Sequence, residues 1–217
     1  MTQARARGWR ATLRYLRDPM TLGGLSVCAL ALGLAYAMPH PLAPWAMFWG
    51  DAALGSGSTV EALAHYEVAC ERNPLAGVRR AAHRRAALIH STQFNDPTSA
   101  RRHLEAVLAS TGDAARRAAL LENIGELLLQ EGLAEGAAAR FEAAADAATD
   151  PVIAGRQRLR AARVLVDDDR YKAAEALFRR VSRDVPALTG EAELGRAELR
   201  LREGKVEQAL GLFERAA

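Results

Sequence analysis

The polar and apolar residues of this chain alternate with the period of helices. From Arg116 to Glu131, RRAALLENIGELLLQE, residues Leu120, Ile124, Leu127 and Leu128 fall on one helix face. No segment alternates apolar and polar residues as a half-buried strand would. A longer pattern is superimposed: Gly57, Ala62, Tyr66, Ala69 recurs as Asn95, Ala100, Leu104, Val107, then Gly132, Ala137, Phe141, Ala144, then Asp169, Ala174, Phe178, Val181, then Gly204, Ala209, Phe213, Ala216. The leading residues are separated by 38, 37, 37 and 35 positions. Each frame predicts the second helix of a helical hairpin. A residue with access to left-handed backbone angles closes the turn, the alanine lets two helices approach, and the aromatic or leucine one turn later fills the groove between them. The expectation is an all-α solenoid of about five hairpins over 45–217, in units near 43–76, 81–114, 118–151, 155–188 and 190–217. LGSGST at 54–59 has the look of a phosphate loop, but no lysine follows its last glycine and no strand precedes it. It reads as the first hairpin turn, with Ser58 and Glu61 at capping-box spacing and Pro74 closing the unit.

In these motifs the chain resembles the tetratricopeptide repeats. Trp49-Gly50, Ala62-x3-Tyr66 and Pro74 match the family pattern, as do Ile124-Gly125, Ala137-x3-Phe141 and a displaced Pro151, and Ala174-x3-Phe178 with Pro186. The second and fifth units depart from it in their first helices. The resemblance implies a superhelix whose inner surface is lined by first helices. Toward that surface it places Arg85, Gln93, Glu122, Glu126, Gln130, Arg156, Arg163, Asp167, Glu198 and Arg202 as protein-binding residues, each of which reads alternatively as part of a solvated face. The family's peptide-carboxylate clamp needs asparagine four residues after a basic residue, where Ile89 follows Arg85, so that specialisation is not expected. With no polar helix after Phe213 and Ala216, the C-terminal edge around Leu210 and Phe213 is a second expected docking surface, for another protein or a second copy.

The N-terminus changes the picture. Residues 1–19 carry five arginines, 20–38 (MTLGGLSVCALALGLAYAM) carry no charge, and 39–44 form a proline-rich linker. As a helix the apolar stretch spans about 28 Å, enough to cross a bilayer core. Asp18 and Pro19 suit a helix start, and the arginine bias predicts a single-pass anchor in a bacterial inner membrane, N-terminus cytoplasmic and repeats periplasmic. Ala35-Tyr36-Ala37 also has the form of a signal-peptidase site, which would release a soluble exported module. Leu25-Ser26-Val27-Cys28 departs from a lipoprotein box at Val27. Five of the 29 basic residues but one of the 26 acidic ones lie before residue 21, so the remainder carries 24 basic against 25 acidic residues. The basic character is local, and no nucleic-acid partner is expected.

Chemistry-bearing constellations are sparse. Arg79, Arg80, Arg84 and Arg85 surround His83, with Arg101 and Arg102 able to join them; anionic lipid or an acidic partner could dock there, or the face is simply solvated. His83 and His90, seven apart, could share a helix face, but no Asp, Glu or Cys completes a credible metal set, so no metal or cofactor is expected. Asp167, Asp168 and Asp169 read as turn and cap, without the glycine and distal glutamate of a calcium loop. Cys28 belongs to the apolar span, and Cys70 is expected buried and unpaired. No nucleophile has a partner motif, so no enzyme is expected. The expected function is a membrane-anchored interaction scaffold assisting assembly of an envelope complex; the alternatives are the cleaved module and a non-catalytic regulatory arm of an enzyme complex.

Overall fold

The computed structural model describes residues 45–216. The basic segment 1–19, the apolar stretch 20–38, the linker to Pro44, and Ala217 lie outside the described residues, as do the anchor, cleavage-site and Cys28 readings. Within them ten α-helices follow one another: α1 (Ala46–Gly55), α2 (Thr59–Arg72), α3 (Ala76–Thr92), α4 (Pro97–Ala109), α5 (Ala114–Gln130), α6 (Ala134–Ala147), α7 (Pro151–Asp167), α8 (Tyr171–Asp184), α9 (Thr189–Arg202) and α10 (Val206–Ala216). A 3-10 turn, Pro186–Leu188, precedes α9. Each helix packs on the one before it, and α7 also touches α9, which gives a solenoid of hairpins. Among the described residues no helix is long and apolar enough to cross a membrane.

The five turn residues of the repeat frame all adopt left-handed angles: Gly57 (φ 84°), Asn95 (49°), Gly132 (75°), Asp169 (58°) and Gly204 (77°). Asn and Asp are the non-glycine residues that best tolerate this region. Ala62, Ala100, Ala137, Ala174 and Ala209 are buried at the helix crossings, and Tyr66, Phe141 and Phe178 are fully enclosed. Glycine allows the tightest approaches: a Cβ on Gly50 would lie 2.6 Å from Tyr66 Cε1, and one on Gly125 would lie 2.8 Å from Phe141 Cε1.

Helix starts are set by side chains in several places. Asp96, Asp113 and Asp150 accept from the backbone N–H of Ser99, Arg116 and Val152 at 3.0, 2.8 and 2.7 Å, with Pro97 and Pro151 in the first turn. The capping box expected at Ser58 does not form. Ser58 makes no side-chain cap, and the α1–α2 turn closes through its backbone N–H donating to Ala53 O at 2.9 Å. The second hairpin starts at Ala76 rather than near 81, because Asn73 Oδ1 accepts from Leu75 N at 3.0 Å and nucleates the helix early.

The core is divided. From α5 to α9 one cluster joins Ile124, Leu128, Phe141, Leu159, Leu165, Phe178, Val181, Leu188 and Leu199, and Leu104 and Leu108 of α4 lean on it. Around α1 to α3 the buried sets are smaller: Ala53, Ala62, Tyr66, Ala86 and Ile89 in one, Ala46, Ala69, Cys70 and Ala82 in the other.

Candidate protein-interaction groove

The first helices of the hairpins, α1, α3, α5, α7 and α9, are cross-linked by opposite charges about one repeat apart. Asp51 of α1 pairs with Arg85 of α3 and also accepts from Tyr66 Oη at 2.7 Å. Glu122 and Glu126 of α5 converge on Arg160 of α7, 2.5 Å from Glu122, and the Arg160 guanidinium lies 4.5 Å over the Phe141 ring. Asp167 of α7 accepts from Arg202 of α9 at 2.8 Å. Eight of the ten sequence-predicted residues join this ladder or line a cavity. Arg85, Glu122, Glu126, Asp167 and Arg202 join this ladder. Arg163, Asp167, Glu198 and Arg202 line one cavity of about 440 Å³ floored by Val166, Phe178 and Leu201. Glu126 and Gln130 line another of about 450 Å³ between α3, α4 and α5. Gln93, an exposed residue just past α3, and Arg156, exposed on α7, reach neither cavity. Asp51 and Arg160 were missed; the signal that finds them is the repeat itself, which sets each opposite a charge on the neighbouring first helix.

The ladder has a gap. Among the described residues no ion pair joins α3 to α5. Seven positions before the left-handed turn residue the chain has Gly50 in the first unit and Gly125 in the third, but Leu88 in the second. Leu104 stands where those units have Tyr66 and Phe141. With neither the glycine nor the aromatic, this hairpin lacks the ring-on-glycine contact that Gly50 makes with Tyr66 and Gly125 with Phe141. Leu88 is left 61% exposed, and Leu88, Leu104, Leu120 and Leu127 share the wall of the α3–α5 cavity. Arg84 lies between this cavity and an adjoining one of about 380 Å³, which Arg80 and Arg116 also line together with Asp113. None of the three guanidinium groups has an ion-pair partner among the described residues, so the cleft combines apolar surface with three arginines that outnumber the one carboxylate, Asp113, in their cavity. The expected basic cluster is thus split: Arg80 and Arg84 face the cleft, Arg79 donates to Asn73 O at 2.7 Å, and Arg101 is held by Glu131 at 2.7 and 3.1 Å. That pair holds the Glu131 carboxyl below its ordinary range, chiefly through the Arg101 hydrogen bonds. At the other end of the solenoid Leu210 is exposed and Phe213 half-buried.

Behind the cleft, between α2, α3 and α4, lies a cluster that the sequence reading did not assemble. His83 and His90 of α3 meet His103 of α4, and Glu67 and Cys70 of α2 complete two overlapping sets: Cys70, His83, His103 and Glu67, His90, His103, the ligand atoms of each within 4.8 Å of one another. The expectation that no Cys or Glu completes a set is corrected here; the missing groups come from α2, a repeat away in sequence. His83 Nδ1 and His103 Nδ1 are 2.9 Å apart, and His103 Nε2 is 3.2 Å from Glu67 Oε1. Burial lowers the pKa of His83 and of His103, against the pull of Glu67 in both cases. Burial, then Glu67 and Glu71, push the Cys70 thiol up to about 12.

No family model matches the sequence, and no curated protein matches it. Solved structures do. MamA superposes with a TM-score of 0.55 at 13% identity, covering 80% of this chain and 89% of MamA, and a second MamA structure gives 0.53 at 13%, covering 77% and 91%. YrrB, reported as a TPR protein with an unusual peptide-binding site, gives 0.52 at 16%, covering 79% and 82%. At these identities the likeness is one of fold.

Proposed function

Given a tetratricopeptide-repeat fold over the described residues, we propose that the chain is a protein-interaction scaffold whose α3–α5 cleft holds a segment of another protein carrying an acidic residue beside an apolar one. The observation that carries this reading is the gap in the ion-pair ladder. Elsewhere the first helices neutralise each other, whereas here Leu88 is exposed beside Arg84, with Arg80 and Arg116 in the adjoining cavity. An apolar side chain placed on Leu88 and Leu127, with its carboxylate between the arginines, would satisfy both halves of the surface. A photo-cross-linking residue at Leu88 is expected to trap a discrete partner in cells. One at the exposed Ala106 of α4 is not. Equal adducts at both positions, or adducts unaffected by Arg80→Glu with Arg84→Glu, would sink the reading.

The scaffold is proposed to be tethered to a bacterial inner membrane by 20–38 with its repeats in the periplasm, assisting assembly of an envelope complex. Charge-free sequence over those residues supports this, as do Trp45, Phe48 and Trp49, exposed at the start of the solenoid like aromatics at a membrane interface. Alkaline phosphatase fused after residue 60 should be active; an inactive fusion contradicts export. Release by cleavage after Ala37 is the second reading, and an N-terminal residue of Met38 in the mature protein would establish it in place of the anchor.

A further inference from the structure

A tetratricopeptide hairpin is ordinarily held by apolar packing. Between α2, α3 and α4 this chain instead buries a thiol and an imidazole, Cys70 at 6% and His103 at 4% exposure, with the half-buried His83 grouped with them. We propose that Cys70, His83 and His103 form a binding site for a divalent d-block cation of the zinc class, with Glu67 as the positioning residue for His103.

The donor set suits that ion class: one thiolate and two imidazoles select a borderline-soft metal over calcium or magnesium, which demand oxygen. Position suits it as well. Glu67 as a carboxylate can only accept, so it fixes the His103 proton on Nε2, 3.2 Å away, and leaves the Nδ1 lone pair facing His83. This is the carboxylate–histidine arrangement that orients and strengthens a metal ligand. The 2.9 Å contact between the two Nδ1 atoms is then a hydrogen bond donated by His83. Two imidazole ligands of one tetrahedral ion stand about 3.3 Å apart, so replacing the proton by the cation requires the rings to part by a few tenths of an ångström.

Binding exchanges protons for metal. Cys70 loses its S–H proton to solvent and forms a metal–sulfur bond; His83 gives up its Nδ1 proton and regains one from solvent at Nε2, so that one proton is released per ion. The neighbouring carboxylates of Glu67 and Glu71, which oppose a bare thiolate, favour a thiolate that carries a dication. Three protein donors leave one coordination position for solvent. His90 offers the competing set: its two ring nitrogens are buried without a hydrogen-bond partner, and its ring stacks on His103 at 5.5 Å. That set would use the opposite nitrogen of His103 and no sulfur, so spectroscopy separates the two.

The test uses the untagged full-length chain in detergent, metal-stripped, with Cys28→Ser to leave Cys70 as the only thiol, titrated with cobalt(II) chloride. The expected result is one equivalent bound, with a thiolate-to-cobalt charge-transfer band and visible d–d bands of tetrahedral intensity. Adding Cys70→Ser should abolish the charge-transfer band while circular dichroism shows the helices intact. His83→Gln and His103→Gln should each weaken binding at least about tenfold, and Glu67→Gln about 10–100-fold with the band retained. His90→Gln should leave the band unchanged. No cobalt spectrum in the parent chain, a charge-transfer band that survives Cys70→Ser, or cobalt binding that depends on His90 and not on Cys70 would overturn the proposal. Should His103→Gln fail to fold, the nearly isosteric Cys70→Ser still decides the matter.

Discussion

The two halves of the solenoid share one repeat frame and fill it differently. From α5 to α9 the buried positions hold Ile124, Leu128, Phe141, Leu159, Leu165, Phe178 and Leu199 in a continuous cluster. From α1 to α4 they hold mostly alanine, with Tyr66, Ile89 and Val107 as the larger apolar residues, and Cys70, His103 and Asn73 are enclosed beside them. Each leucine replaced by alanine forgoes three carbons at about 0.8 kcal/mol apiece, so the N-terminal half gains less from burial. The lesson is that the frame specifies the hairpin and the residues inside it specify how much apolar surface that hairpin buries. In the second unit, where Leu88 and Leu104 replace the glycine–aromatic pair, the cleft and the histidine cluster occur together.

The largest expected effect lies at the aromatic position. Phe141→Ala removes a fully enclosed ring from the continuous cluster and should cost about 3–5 kcal/mol. Leu104→Ala, at the equivalent place in the second unit, removes a half-buried side chain facing a cavity and should cost about 1–2 kcal/mol. Urea unfolding of the two variants measures the contrast. Equal losses would mean that the N-terminal half is packed as firmly as the C-terminal one.

Next in size is the small-residue position. A methyl group added by Gly125→Ala meets Phe141 at 2.8 Å and should cost about 1–3 kcal/mol, because the ring is enclosed and cannot swing aside. Leu88→Ala at the matching position of the second unit should stay within about 0.5 kcal/mol, since Leu88 is exposed. It should nevertheless reduce capture of a partner in the cleft. A large stability loss at Leu88 would make it a packing residue rather than a docking one.

These contrasts also mark what could be read from residues alone. The turn frame, the alanines and the enclosed aromatics were legible because each repeats at a nearly fixed interval, and a structural requirement that recurs is visible as a pattern. Arg163, Asp167, Glu198 and Arg202 were placed toward the inner surface by resemblance alone, and that they line one cavity follows from the packing of α7 and α9. The ladder partners Asp51 and Arg160 and the metal-ligating cluster were not legible, because their meaning depends on which helix stands alongside. His83 acquires Glu67 and Cys70 only after α2 and α3 have packed. The gap at α3–α5 was half legible: the second unit was recognised as irregular, but that the irregularity opens a cleft follows from the Gly-to-Leu and aromatic-to-Leu exchanges being spatial partners.

The junction between the halves gives a smaller, pH-dependent effect. Arg101 of α4 grips the Glu131 carboxylate, at the end of α5, through two hydrogen bonds. Glu131→Gln should cost about 1–2 kcal/mol near neutral pH. The folded-state pKa of Glu131 lies below its ordinary 4.5. Its contribution is therefore complete above pH 4.5 and is lost as pH falls through the folded value. The stability difference between parent and Glu131→Gln should shrink below pH 4.5; a difference that stays constant to acid pH would show that the ion pair does not hold the halves together.

The smallest effect should be the same in both halves. A side chain added at Gly57 or at Gly132 meets nothing within 4 Å, so the cost of alanine there is only that of holding an L-residue at φ 84° or 75°. That is about 1 kcal/mol in either position. Asn95 occupies the equivalent position at φ 49° in the second unit, and Asn95→Gly should change stability by less than about 0.5 kcal/mol, since relief of the backbone is offset by the greater freedom of glycine in the unfolded chain. If Gly57→Ala and Gly132→Ala differ by more than the error of a denaturant melt, the turns themselves carry part of the asymmetry, and the difference between the halves is no longer one of core filling alone.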